Sequence, residues 1–194
     1  ETLSTAAEEG KKQIAITFDD GPNPEYTMKL LEGLKKRGVK ATFFVLGEEV
    51  ERYPDILKAA YDDGHLIGVH SYQHVNFGQI GDAAALEQVE KTRQAIYDVT
   101  GEYTGYIRPP YGCWKKELDQ ELPMIEVLWD IDPLDWATKD ADTVVQRVLQ
   151  KCPDGSIILL HDASESSVCA AFTIIDTLQK QGYEFVTVEE LMLE

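Results

Sequence analysis

The sequence has no run of about 18 apolar residues, the minimum for a membrane-spanning helix. Its first residues, ETLSTAAEEGKKQ, contain no apolar signal core. It begins with Glu rather than Met, as a mature or excised piece would. Positive charge is scarce: 18 Lys and Arg face 35 Asp and Glu, for a formal charge of −17. A field of that sign repels phosphate backbones and argues against nucleic acid as a partner. Its ordinary consequence is solubility. Cysteine is sparse too. Cys113, Cys152 and Cys169 form no CxxC pair, which argues against a structural zinc site. A Cys152–Cys169 bridge would fit an oxidising compartment, with the third thiol left over. Low-complexity linkers and solenoid-period repeats are missing. One domain spanning 1–194 is therefore expected, with 1–12 as an N-terminal extension.

What is present is an alternation of two patterns. Short, near-continuous apolar runs read as strands buried on both faces: IAITF, ATFFVLG, HLIGVH, YIRPP, IEVLWDI, SIILLH and YEFVTV. Between several of them, helical patterns cover Thr27 to Arg37, Tyr53 to Asp63, Ala83 to Val99, Thr143 to Gln150 and Ser167 to Gln181. Four of these five are followed by a glycine and the other by Pro153, as helix C-termini are. Alternating strands and helices imply βα units and a parallel sheet, the α/β class. The length is short for eight such units. A distorted (β/α) barrel of about seven parallel strands is expected, with a doubly wound open sheet as the alternative. Both place sites at the C-terminal ends of the strands.

Those ends carry polar groups. IAITFDDGP puts Asp19 and Asp20 where an apolar run stops. That stretch alone fits a solvated turn as well as a site. Other runs finish in His70, with His74 four residues on, in Arg108, in Asp132, Asp135 and Trp136, and in His161 and Asp162. The His-x₃-His spacing sets two imidazoles on one face if the chain turns helical there. Two histidines, one aspartate and an open position describe a hydrolytic zinc site, where bound water becomes acidic near neutral pH. One of the two adjacent aspartates could be the ligand and the other a free base. His161 is the candidate proton donor, oriented by Asp135. Arg108 could pair with the free aspartate. The rigid Pro109-Pro110-Tyr111-Gly112 turn could hold a backbone N–H toward an oxyanion. Tyr111 and Trp136 could stack on a sugar or simply pack in the core. His65, at the wrong end of its strand, reads as structural.

Taken in order, TFDDGP, HSYQH, RPPYG, DPLDW and LLHD resemble the five motifs of the polysaccharide deacetylases. These are carbohydrate esterase family 4, the NodB-homology domain. The resemblance runs from Ile14 to about Val188. It implies a distorted (β/α) barrel that removes acetyl groups from a polysaccharide with one divalent metal, zinc first and cobalt or nickel as alternatives. It makes Asp19 the base, Asp20, His70 and His74 the metal ligands, and Arg108 the partner of the base. It also makes the Tyr111 N–H part of the oxyanion hole, Asp135 the carboxylate tuning the acid, and Trp136 a groove residue. Leu159 becomes the acetyl-pocket wall and His161 the acid. Many members have Asn where this chain has Val69. The implied substrate is an N-acetylglucosamine polymer, peptidoglycan before chitooligosaccharide, met by a monomer outside the cell or at its surface. An O-acetyl esterase on acetylxylan and an inactive carbohydrate-binding module are the competing readings.

Overall fold

The structure, a computed structural model, describes residues 11–193. Among these residues are seven parallel strands: β1 (Lys12–Asp19), β2 (Thr42–Leu46), β3 (Leu66–Ser71), β4 (Tyr106–Ile107), β5 (Ile125–Glu126), β6 (Ile157–His161) and β7 (Tyr183–Phe185). Seven α-helices accompany them: α1 (Thr27–Lys36), α2 (Gly47–Arg52), α3 (Pro54–Asp62), α4 (Asp82–Thr100), α5 (Ala141–Leu149), α6 (Glu165–Lys180) and α7 (Val188–Met192). The expected extension lies outside the described residues up to residue 10, and Lys12 already opens β1.

The sheet runs β5-β4-β3-β2-β1-β6, with β7 also on β1. It curls into a distorted barrel. After β5 the chain leaves β4, with Val127 N–H still donating to Ile107. It then crosses to β6, where Asp130 and Ile131 donate to Ile157 and Leu159 donates back to Ile131. This irregular crossing joins the two edges, so the runs YIRPP and IEVLWDI contribute only two-residue strands. Two further expectations change. Gly47 opens α2 instead of ending β2. The end of YEFVTV is a helix, because Thr187 and Glu190 form a reciprocal cap at the start of α7.

Strand alternation sorts the side chains. Ile14, Ile16 and Phe18 of β1 join the large core beneath the helices. Ala15 joins a second, inner cluster with Phe44, Val127 and Val188. Thr17 and Asp19 continue the inward column. Leu159 and His161 stand beside them through the β1–β6 register, which pairs Thr17 with Leu159 and Asp19 with His161. Gly68 on β3 follows from the same packing: a Cβ there would lie 2.6 Å from the Phe44 ring.

The cysteines are free. Cys169 is exposed on α6, while Cys152 packs against the core, where burial pushes its thiol up to about 11. The expected bridge is not formed.

Candidate active site

The inward column of β1 ends in Asp19, which is 3% exposed. Its partner is Arg108, the residue after β4 and fully buried. One guanidinium nitrogen donates to Asp19 Oδ1 at 2.9 Å and to Thr17 Oγ1 at 2.5 Å. The others donate to the carbonyls of Val127 and Leu128, at 3.0 and 2.8 Å. Its face lies 4.4 Å from the Phe44 ring centroid. All three guanidinium nitrogens thereby donate, as a buried ion pair requires.

Asp20 follows in a left-handed conformation, φ 79°. That turn swings its carboxylate onto the same side as Asp19 instead of the opposite side, as strand alternation would demand. His70 ends the inward column of β3 and is 3% exposed. Its Nδ1 lies 2.6 Å from the Arg108 carbonyl, so Nδ1–H donates and Nε2 faces the aspartates. His74 reaches the cluster by a loop, at φ 55°, and not by a helical turn as the spacing suggested. The two imidazole centroids are 5.0 Å apart. Burial opposes ionisation of both Asp20 and His70. The neighbouring carboxylates of Asp19 and Asp20 nevertheless raise the His70 pKa, and the neighbouring imidazoles of His70, His161 and His74 lower that of Asp20.

Asp20 Oδ1 lies 3.3 Å from His70 Nε2 and 3.4 Å from His74 Nε2. It is buried and has no hydrogen-bond partner among the described residues. Ligands ~2.0–2.1 Å from a tetrahedral cation stand ~3.3–3.4 Å apart. The two separations from Asp20 match that spacing, and all three atoms lie within 4.8 Å of one another, so the triad could hold a divalent ion.

On β6, the neighbour of β1, His161 Nδ1 donates to Asp135 Oδ1 at 2.8 Å. Asp135 Oδ2 accepts from the His161 backbone N–H at 2.8 Å and from Ser167 Oγ, in the first turn of α6, at 2.7 Å. Burial alone would lower the His161 pKa. Asp135, with Asp19 and Asp20, raises it to about 9.

Asp19, Asp20, His70, His74, Tyr111, Trp136, Leu159 and His161 line one cavity of about 500 Å³, with Pro109, Trp129 and Asp132. Arg108 and Asp135 stand behind it. Pro110 is buried at the base of its turn and Pro109 lines the cavity instead. Tyr111 and Trp136 are 66% and 67% exposed at the rim, which excludes a core role. The sequence reading missed Thr17, Trp129 and Ser167. Thr17 was accessible, being one strand period before Asp19. Among the described residues, four non-glycine residues have positive φ: Asp20, His74, Tyr111 and Leu134. Three line the cavity and Leu134 precedes Asp135. Backbone strain is concentrated where the chain departs from strand geometry to build this site.

A triad that could hold a cation, an ion-paired carboxylate and an Asp–His couple thus surround one cavity. Residues 6–126 match the family described as polysaccharide deacetylase. The peptidoglycan-N-acetylglucosamine deacetylase PgdA of Listeria monocytogenes is 39% identical over 93% of this chain and 39% of its own. The peptidoglycan-N-acetylmuramic acid deacetylase PdaC of Bacillus subtilis is 41% identical over 98% and 42%. The solved structure of PdaC from Bacillus subtilis superposes with a TM-score of 0.92 at 42% identity, covering 94% of this chain and 91% of that one. The chain belongs to the polysaccharide deacetylase family, and it spans about two-fifths of the length of these curated relatives.

Proposed function

We propose that this chain hydrolyses the N-acetyl group of N-acetylglucosamine residues in peptidoglycan, with zinc held by Asp20, His70 and His74. The observation that carries the reading is the convergence of these three ligands, the Asp19–Arg108 pair and the Asp135–His161 pair on one cavity. When bound, the divalent ion supplies a Lewis acid for the acetyl carbonyl and acidifies water at its open position; cobalt or nickel would suit the same ligands. Asp19, paired with Arg108 at 2.9 Å, accepts a proton from the attacking water. The Tyr111 N–H donates to the carbonyl oxygen as negative charge develops there. His161, fixed by Asp135, gives its proton to the departing amine nitrogen, which is a poor leaving group without one. Acetate and a free amino sugar result. Leu159 forms an apolar wall beside the acetyl methyl, and the exposed rings of Tyr111 and Trp136 offer faces for the glycan.

Two relatives name different sugars. Among the described residues no lysine or arginine lines the cavity, and Asp132 adds a further carboxylate to the lining. That lining favours the neutral N-acetylglucosamine over a muramic acid with a free lactyl carboxylate. The proposed substrate places the activity outside the cell or at its surface, and we propose that the protein acts there as a monomer. The test is acetate release from N-acetylglucosamine oligomers, intact peptidoglycan and acetylxylan, by chelated protein and after zinc is restored. Zinc-dependent release from the first two is expected. Release from acetylxylan alone would replace the reading with an O-acetyl esterase. Saccharide binding with no release under any metal would make the chain a binding module.

A further inference from the structure

Behind the cation triad lies a buried carboxyl that the proposed chemistry does not use. Asp162 follows His161, so strand alternation turns it away from the cavity. It is 1% exposed. Thr27 Oγ1, at the start of α1, donates to its Oδ2 at 2.5 Å and accepts from the Asn23 N–H at 2.7 Å. The Thr27 hydroxyl proton is thereby committed to Asp162. Asp162 Oδ1 has no hydrogen-bond partner among the described residues. The carboxyl stands where a side chain at Gly21 would be: a Cβ there would lie 2.5 Å from Oδ2 and 2.7 Å from Oδ1, so the carboxyl packs over the glycine. Gly21 follows Asp20, and the turn they share is pinned on its other side by Asp20 N–H to Phe44 O and by Leu46 N–H to Gly21 O. The strained residue is thus gripped between β2 and the Asp162 carboxyl.

We propose that Asp162 is a positioning residue for the cation site, with Thr27 as its partner. The pair fixes the Gly21 backbone and so keeps Asp20 in the left-handed conformation that brings its carboxylate to His70 and His74. This rests on the ligand role given to Asp20 above, and the readout is zinc affinity, not acetate release.

The experiment is competition for zinc against a fluorescent chelator, with folding of each variant checked by circular dichroism at the same temperature. Asp162→Asn keeps the volume and an acceptor for Thr27, and Thr27→Ser keeps the donor. Both are expected within about threefold of wild type, whereas Asp162→Ala and Thr27→Val lose about 10–100-fold, the usual cost of removing a group that orients a ligand. Wild-type affinity in folded Asp162→Ala or Thr27→Val overturns the proposal. So does Asp162→Asn binding as weakly as Asp162→Ala, since that outcome assigns the effect to charge. If Asp162→Ala does not fold, Thr27→Val against Thr27→Ser decides. Asp20→Ala, measured alongside, separates the two readings: undiminished zinc binding there sinks the ligand set itself.

Discussion

Asp19 and Asp20 are chemically identical neighbours with different surroundings, and the surroundings assign their work. Arg108 already occupies Asp19, while Asp20 Oδ1 is buried and unpartnered beside two imidazoles. Asp19→Asn is therefore expected to keep zinc affinity and lose about 100-fold or more in kcat, the range of a general base. Asp20→Ala is expected to lose zinc. Titrating both variants with zinc and measuring acetate release checks the division, and the reverse pattern would exchange the roles. The acid gives a pH prediction. His161 must carry its proton, and its raised pKa keeps it protonated until the pH rises through about 9. A bound cation offsets the help from Asp19 and Asp20 but leaves that of Asp135. Activity should thus fall on the alkaline side at or below pH 9. Asp135→Asn, which keeps the shape and removes the charge, should move that limb down by ~1–3 units. A kcat–pH profile with an unmoved limb would assign it to another group. The convergence of these residues on one cavity was legible because catalysis uses few residue types and the chain puts them at strand ends. Ser167 was not, because a serine acquires a role only from what folding places beside it.

At the scale of elements, β1, β2, β3 and β6 could be read from sequence because strands covered on both faces are apolar throughout. β4 and β5 could not be measured from their runs, since after two paired residues the chain bends across to close the barrel. Nothing local in IEVLWDI records that crossing. The helix α7 was legible and overlooked: Thr187-Val188-Glu189-Glu190 is a capping box. His70 and His74 illustrate the same limit. Their spacing was right and its helical explanation wrong, because tertiary packing holds His74 in a positive-φ loop. The interior layer of the barrel gives the prediction at this scale. Phe44 fills the space beside Gly68 and carries the Arg108 guanidinium on its face. Gly68→Ala would press a methyl to 2.6 Å from that ring and 3.2 Å from the Tyr106 carbonyl oxygen. The expected cost is about 1–3 kcal/mol by urea denaturation. Activity should fall as well, since moving Phe44 moves the Asp19 partner. Unchanged stability would mean that the layer has room this packing denies.

The whole molecule divides chemistry from stability along the barrel axis. The C-terminal strand ends hold the strained, charged cavity, and the N-terminal ends hold groups that serve folding, as in other barrels of this kind. His65, just before β3, is the clearest case. It is 4% exposed, and its Nδ1 accepts from the Ala41 N–H at 3.0 Å. That ring must therefore be neutral. Burial, with some help from Lys40, lowers its pKa to about 4. The unfolded chain binds this proton near pH 6.5 and the folded one does not until about pH 4. Between those values the unfolded state holds more protons, so the contribution of His65 is fully present above pH 6.5 and is lost as pH falls toward 4. By pH 5, still above the isoelectric point of about 4.5, the loss amounts to about 2 kcal/mol. The carboxylates that give the chain its −17 charge also titrate as pH falls, but they do so in any variant. His65→Asn, which can still accept from Ala41, isolates the imidazole. Urea denaturation at pH 7 and pH 5 should show the wild type losing about 2 kcal/mol more than the variant. Equal losses would mean that the folded protein takes up the His65 proton as readily as the unfolded chain, and the stabilising role of the N-terminal pole would have to rest on packing alone.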